Sequence, residues 1–191
     1  MIANLPAISD TVVLPTLTWD AEEDTAGRLA GPFQHVGIGE MKIGGRSDQL
    51  KALLGSCVGI AFLWKKRGRC GLAHCLLPEA AAPQWEPGAR YVSHAVPSLL
   101  RLMGASAADY ADIVVVVAGG GMMLDACSSR FQIGQQNADA ASKYLRQYGL
   151  NVLECRVGGK TGRTLAVDCA TCSYQIEDIA AQSRERRHAH A

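Results

Sequence analysis

Apolar and polar positions change period several times along this chain, and each change marks an element. Residues 35–43, HVGIGEMKI, alternate at Val36, Ile38, Met41 and Ile43, which predicts a first strand closed by Gly44-Gly45. Residues 49–54 predict a second strand running into Gly55. Two apolar runs follow, near 57–64 and 69–76, separated only by the basic turn Lys65-Lys66-Arg67-Gly68. They predict a β-hairpin that ends at Pro78. Apolar residues at 92, 95, 96, 99, 100, 102 and 103 have helical spacing, with Gly104 as the stop. Pro97 implies that this helix begins near 96 or is kinked.

Residues 112–118, DIVVVVA, predict a strand buried on both faces, because four consecutive valines leave no polar face. A second helix is expected from Asn137, a candidate N-cap, to Tyr148, with Gly149 beyond its end. Strands over 150–157, 163–169 and 172–176 complete the pattern. Strands dominate and two helices interrupt them after the hairpin. The expected fold class is α+β, a layered α/β sandwich with a mostly antiparallel sheet. Residues 1–34, punctuated by Pro6, Pro15 and Pro32, read as a flexible arm. Residues 35–176 form one domain, and 177–191 a charged tail in which His188 and His190 are not expected to be ligands.

Composition narrows the functional classes. The chain has 191 residues, 48% apolar and 19% charged, which suits one soluble domain with a sizeable core. A formal net charge of +1 gives no bulk electrostatic case for nucleic acid or a membrane surface. No apolar run reaches the ~18 residues of a membrane helix. The N-terminal stretch carries Asp20, Glu22, Glu23 and Asp24 and no basic segment, so a secretory signal is not expected and the cytoplasm is the expected compartment. Seven cysteines, an odd number, are expected to stay reduced there. Cys169 and Cys172 form a CxxC, but no second pair exists to complete a zinc site, and the segment reads as strand. Ordinary thiols are the preferred reading; no metal and no cofactor are expected.

The hairpin holds the candidate chemistry. Cys57 follows the small turn Gly55-Ser56 on one arm, and His74 lies near the end of the other. With a two-residue loop (Lys65, Lys66) Cys57 faces His74 directly. With a four-residue loop, Lys65 to Gly68, Cys57 faces Leu76 and His74 sits diagonally on the same face. A three-residue loop would put them on opposite faces. A histidine within reach of a thiol takes its proton and can later protonate a leaving amine. Backbone N–H groups at Gly55 and Ser56 are natural oxyanion donors. The implied reaction is acyl transfer. Against this stands the ordinary behaviour of a buried cysteine as a small hydrophobe and of a strand histidine as a hydrogen-bonded core residue. His35 and His94 are alternative bases, and Asp112 is a carboxylate at a strand start. Gly119-Gly120-Gly121 is read as tight backbone packing, since no Lys-Ser/Thr follows as in a phosphate loop. The Ala-, Pro- and Gly-rich loop 79–89, with Trp85 its one large side chain, is placed to lie over the neighbouring site.

Several ordered motifs together carry a resemblance. LGSCVGIAF with GLAHCLLP, RYVSHAVP at 90–97, Ala118-Gly119-Gly120, IGQQN at 133–137 and GGKTGR at 158–163 resemble the chemoreceptor glutamine deamidase family, CheD, over roughly 35–176. The resemblance implies a Cys–His site on a layered α/β sandwich shared with glutamine-deamidating bacterial toxins. It implies hydrolysis of selected glutamines of methyl-accepting chemotaxis receptors to glutamate, with Cys57 as nucleophile and His74 as base. It also implies binding to a CheC-type phosphatase, and a catalytically weakened binding module is the alternative reading. One position departs. The family has a threonine six residues before the cysteine, thought to help orient the histidine, and Lys51 stands there. A charged lysine cannot accept a hydrogen bond from an imidazole N–H. A backbone carbonyl in its place, or a cation favouring the thiolate, are the substitutes to look for.

Overall fold

A computed structural model describes residues 33–82, 86–122 and 130–179. Most of the arm, Trp85, Cys127 and most of the charged tail lie outside the described residues. The elements are, in chain order, β1 (Phe33–His35), β2 (Met41–Gly44), β3 (Gln49–Leu54), β4 (Val58–Trp64), β5 (Arg69–Cys75), α1 (Val92–Met103), β6 (Val114–Gly119), α2 (Arg130–Gln147), β7 (Asn151–Val157), β8 (Arg163–Asp168) and β9 (Ser173–Asp178). They form a five-stranded sheet, β2-β5-β4-β6-β7, and a four-stranded sheet, β1-β3-β8-β9. Only β1–β3 and β6–β7 pair in parallel, the latter across α2. The α+β layered sandwich expected from the pattern is the observed fold.

Alternation along β4 explains the layers. Its residues are buried throughout, but they serve two cores. Val58, Ile60 and Phe62 point to the helices, where they meet Val92, Val96, Leu99, Ala141 and Leu145. Cys57, Ala61 and Leu63 point to the other sheet, where they meet Leu50, Leu54, Leu165 and Val167. The five-stranded sheet is thus the middle layer, covered on both faces, and its central strands are uniformly apolar for that reason. Each large core side chain contributes about 1.5–3 kcal/mol by leaving water.

Both helices stop where glycine permits a left-handed residue. Gly104 has φ +70° and donates to the Arg101 and Leu100 carbonyls. Gly149 has φ +64°, and Leu150 N–H bonds back to the Leu145 carbonyl.

Several expectations are corrected. The single strand over 35–43 is two, β1 and β2, in different sheets. Residues 36–40 between them form a crossover in which Gly39 takes φ +79° and Gly37 N–H is held by the Glu40 carboxylate at 3.0 Å. Helix α1 begins at Val92 and carries Pro97 within it. Helix α2 begins at Arg130, so Asn137 is an interior helical residue and not a cap. Residues 169–172 make the turn between β8 and β9, with Cys172 at φ +51°, so Cys169 and Cys172, expected as a strand end and a strand start, belong to the turn.

Candidate active site

The hairpin turn decides the geometry. Trp64 pairs with Arg69, and residues 65–68 form the loop, a short 3-10 turn closed by Gly68 at φ +58°. This is the four-residue case. His74 pairs with Gly59, two residues from Cys57. Such diagonal neighbours lie about 7–8 Å apart at Cα and within reach of long side chains. Both side chains face the four-stranded sheet, and both are buried, Cys57 to 6% and His74 to 3% exposure.

The crossover at 36–40 wraps His74 on three sides. The ring Nδ1 lies 3.0 Å from the Val36 carbonyl, the His74 N–H donates to the Glu40 carbonyl at 2.9 Å, and its carbonyl accepts from Gly39 N–H at 2.8 Å. A carbonyl only accepts, so Nδ1 carries the proton and Nε2 keeps the lone pair. Nε2 is buried and has no hydrogen-bond partner among the described residues. Burial lowers the His74 pKa, against opposing contributions from the Val36 bond and the Glu40 charge. Burial raises that of the Cys57 thiol. Both shifts favour the neutral forms, thiol and imidazole.

Lys51 lies on β3 at a position alternate to the buried Leu50, Ala52 and Leu54. Its ammonium sits 5.1 Å from the Phe33 ring centroid. Its backbone carbonyl accepts from Val36 N–H at 2.8 Å. The residue thus reaches His74 through main chain only: Lys51 C=O holds the Val36 peptide, and Val36 C=O holds the ring. The ring nitrogen Nδ1 is thus met by a backbone carbonyl, that of Val36, and not by the Lys51 side chain.

The turn at Gly55 and Ser56 is gripped from three directions. Gly121 N–H donates to the Gly55 carbonyl at 2.7 Å, Gly120 N–H to the Cys57 carbonyl at 2.8 Å, and Asn137 Nδ2 to the Ser56 carbonyl at 3.0 Å. The glycine turn after β6 has its N–H groups committed to this loop, which agrees with the packing reading. A Cβ on Gly119 would meet the Cys57 carbonyl at 2.3 Å, and one on Gly120 the Gly134 carbonyl at 2.8 Å. Behind it, Arg163 Nη1 donates to the Gly119 and Gly158 carbonyls at 3.2 and 2.6 Å, while its Nε lies 2.9 Å from Asp178. The strand end after His74 is tied down as well, Leu76 and Leu77 N–H both donating to the Arg90 carbonyl just before α1.

The remaining candidates lie apart from this pair. His35 is exposed on β1. His94 belongs to α1, in the layer on the other face of the middle sheet, and its ring packs edge-on to Tyr91. Asp112 pairs with Lys66 at the hairpin tip, the far end of β4 from Cys57, about 20 Å along a seven-residue strand. Cys75 packs in the helix-side core, fully buried, with its pKa strongly raised. Among the described residues no cluster of three histidine, cysteine, aspartate or glutamate side chains is arranged to hold a metal. No helix among them is long and apolar enough to cross a membrane. An open groove of about 500 Å³, lined by residues 39–42, 87–89 and Leu102, lies beside the crossover and does not include the Cys57–His74 pair. Sequence reasoning missed Val36, Glu40 and Asn137 as parts of the site. The paired glycines at 37 and 39 were the available signal for the first two.

A cysteine and a tautomerically fixed histidine thus lie on one inner face of an α/β/β sandwich, a candidate thiol–imidazole pair. The comparisons give its family. A model described as CheD chemotactic sensory transduction matches residues 76–178. A Bdellovibrio bacteriovorus protein named probable chemoreceptor glutamine deamidase CheD is 37% identical over 147 residues, covering 76% of this chain and 94% of the relative. A Ruegeria protein, probable chemoreceptor glutamine deamidase CheD 2, is 35% identical over 164 residues, covering 76% and 91%. An Archaeoglobus fulgidus relative of the first name is 36% identical over 132 residues, covering 68% and 83%. The chain belongs to the CheD family.

Proposed function

We propose that this protein is a cytoplasmic protein-glutamine deamidase that converts selected glutamines of methyl-accepting chemotaxis receptors to glutamate. The observation that carries the reading is the buried, unpartnered Nε2 of His74, its lone pair fixed by the Val36 carbonyl, on the face from which Cys57 projects. His74 is the general base: Nε2 takes the Cys57 proton as the thiolate adds to the glutamine Cδ. The imidazolium then gives that proton to the amide nitrogen as the C–N bond breaks, and ammonia leaves. Water attacks the resulting thioester with His74 again as base, giving glutamate and free thiol. The turn at Gly55 and Ser56 supplies the oxyanion donors. Lys51 contributes its carbonyl and not its side chain.

The raised thiol pKa and the absence of a Cys57–His74 hydrogen bond among the described residues favour one alternative, a binding module acting on receptors or a CheC-type phosphatase. One experiment separates the two. A receptor cytoplasmic fragment is incubated with the protein and its peptides are weighed. The deamidase reading expects the mass gain of amide-to-acid conversion at glutamine, absent with Cys57→Ala and with His74→Ala. No gain from the wild-type protein, with fragment or phosphatase binding retained, selects the binding module.

A further inference from the structure

Asn137 sits mid-way along α2 with no exposed surface, yet both of its amide hydrogens leave the helix. Nδ2 donates to the Ser56 carbonyl and to the Leu76 carbonyl, each at 3.0 Å. One carbonyl precedes the candidate nucleophile; the other lies two residues after the candidate base. With two carbonyls facing it, the amide has only one workable orientation, since the flipped form would set oxygen against oxygen. That orientation leaves Oδ1 buried and without a partner. An unpaired buried amide oxygen costs about 1–3 kcal/mol, so stability alone gives a poor account of this residue.

Peptide planarity gives it a directional role. In a trans peptide the C=O of one residue and the N–H of the next point in opposite directions. Asn137 draws the Ser56 carbonyl towards α2, so the Cys57 N–H points away from α2. Gly121 draws the Gly55 carbonyl in the same manner and turns the Ser56 N–H away from the glycine turn.

We infer that Asn137 is a positioning residue for the oxyanion site: by clamping the Ser56 and Leu76 carbonyls with one amide, it orients the Cys57 N–H and fixes the loop against the strand end that carries His74. The inference rests on the deamidase reading. Its action is on the transition state, where negative charge grows on the amide oxygen, and not on the thiol's own reactivity. Losing one aligned oxyanion donor costs about 10²–10³ in kcat in a well-studied protease.

The test uses the full chain, a receptor cytoplasmic fragment and iodoacetamide. Alkylation of Cys57 by iodoacetamide displaces iodide and develops no oxyanion. Asn137→Asp keeps the shape but opposes oxygen to both carbonyls; Asn137→Ser, a smaller change, carries the same comparison if the aspartate variant does not melt cooperatively. The expected result is kcat reduced about 10²-fold with KM within about threefold, and Cys57 alkylation within about threefold of wild type. Unchanged deamidation overturns the inference. So does an equal fall in deamidation and alkylation, which would mean the thiol itself had been displaced. A wild-type chain inert on receptor glutamine instead removes the deamidase reading on which the inference stands.

Discussion

The two halves of the site are held in opposite ways. His74 lies next to the end of its strand, and among the described residues a single short stretch, 36–40, supplies the hydrogen bonds outside the ladder that fix its main chain and ring. Cys57 is a loop residue, and its loop is held by Gly120 and Gly121 after β6 and by Asn137 of α2, between 63 and 81 residues away in sequence. The imidazole is thus set by local crossover geometry. Cys57 is set by convergence of distant segments, and its thiol makes no hydrogen bond to the ring. An imidazole needs one fixed tautomer to act as base, which one carbonyl provides. A nucleophile loop needs several peptide planes aligned at once, and only long-range packing provides that.

The comparison can be broken most severely at Gly119. A methyl there meets the Cys57 carbonyl at 2.3 Å, and φ +106° is a conformation that alanine resists. Gly119→Ala is expected to lose about 3 kcal/mol of stability in urea unfolding and at least about 10²-fold in deamidation, through the loop and not through His74. Full activity in that variant would show that the loop is not held from β6.

The base side is sharpened by pH. Burial lowers the folded pKa of His74 below its ordinary 6.5. As pH falls through that value the unfolded chain takes up a proton that the folded chain does not. This contribution to stability is therefore intact above about pH 6.5 and is lost as pH falls towards the lowered folded pKa, with a slope of at most about 1.4 kcal/mol per pH unit. Urea midpoints measured between about pH 7.5 and 5.5 should fall more steeply for wild type than for His74→Gln, which has no ring to titrate. Equal slopes would mean that the ring is not buried neutral.

The smallest effect is expected at Lys51. Its ammonium rests near the Phe33 ring, and its link towards His74 is a main-chain carbonyl that any residue supplies. Lys51→Ala should change deamidation by less than about twofold and stability by no more than about 1 kcal/mol. A large loss of activity would reassign the position as a side-chain contributor.

Much of this site was legible in the chain because hairpin parity is a strong constraint. Only two-residue and four-residue loops bring Cys57 and His74 to one face, and Arg69 pairing with Trp64 is the second of these. The α+β layering followed from the all-valine run and the spacing of apolar residues in α1. Residues 35–43 were less legible. Alternation at Val36, Ile38, Met41 and Ile43 survives a change of sheet, so periodicity alone could not reveal the crossover at Gly37 and Gly39. Asn137 was misread for a related reason. An asparagine near the start of a helical pattern resembles a cap, and its real partners, Ser56 and Leu76, are contacts that no local window contains. Likewise Cys169 and Cys172 read as the end of one strand and the start of the next, because Cys172 adopts a positive φ without a glycine to announce that it belongs to the turn.

The crossover at 36–40 has a mechanical consequence. It is the only stretch that leaves β1 of one sheet and enters β2 of the other on the way to His74, so the imidazole is braced like a strut between two plates. A slip of one plate over the other, too small to break a ladder, would tilt the ring away from the sulfur. Alignment of the ring with Cys57 is therefore expected to fade on heating before the strands themselves begin to melt.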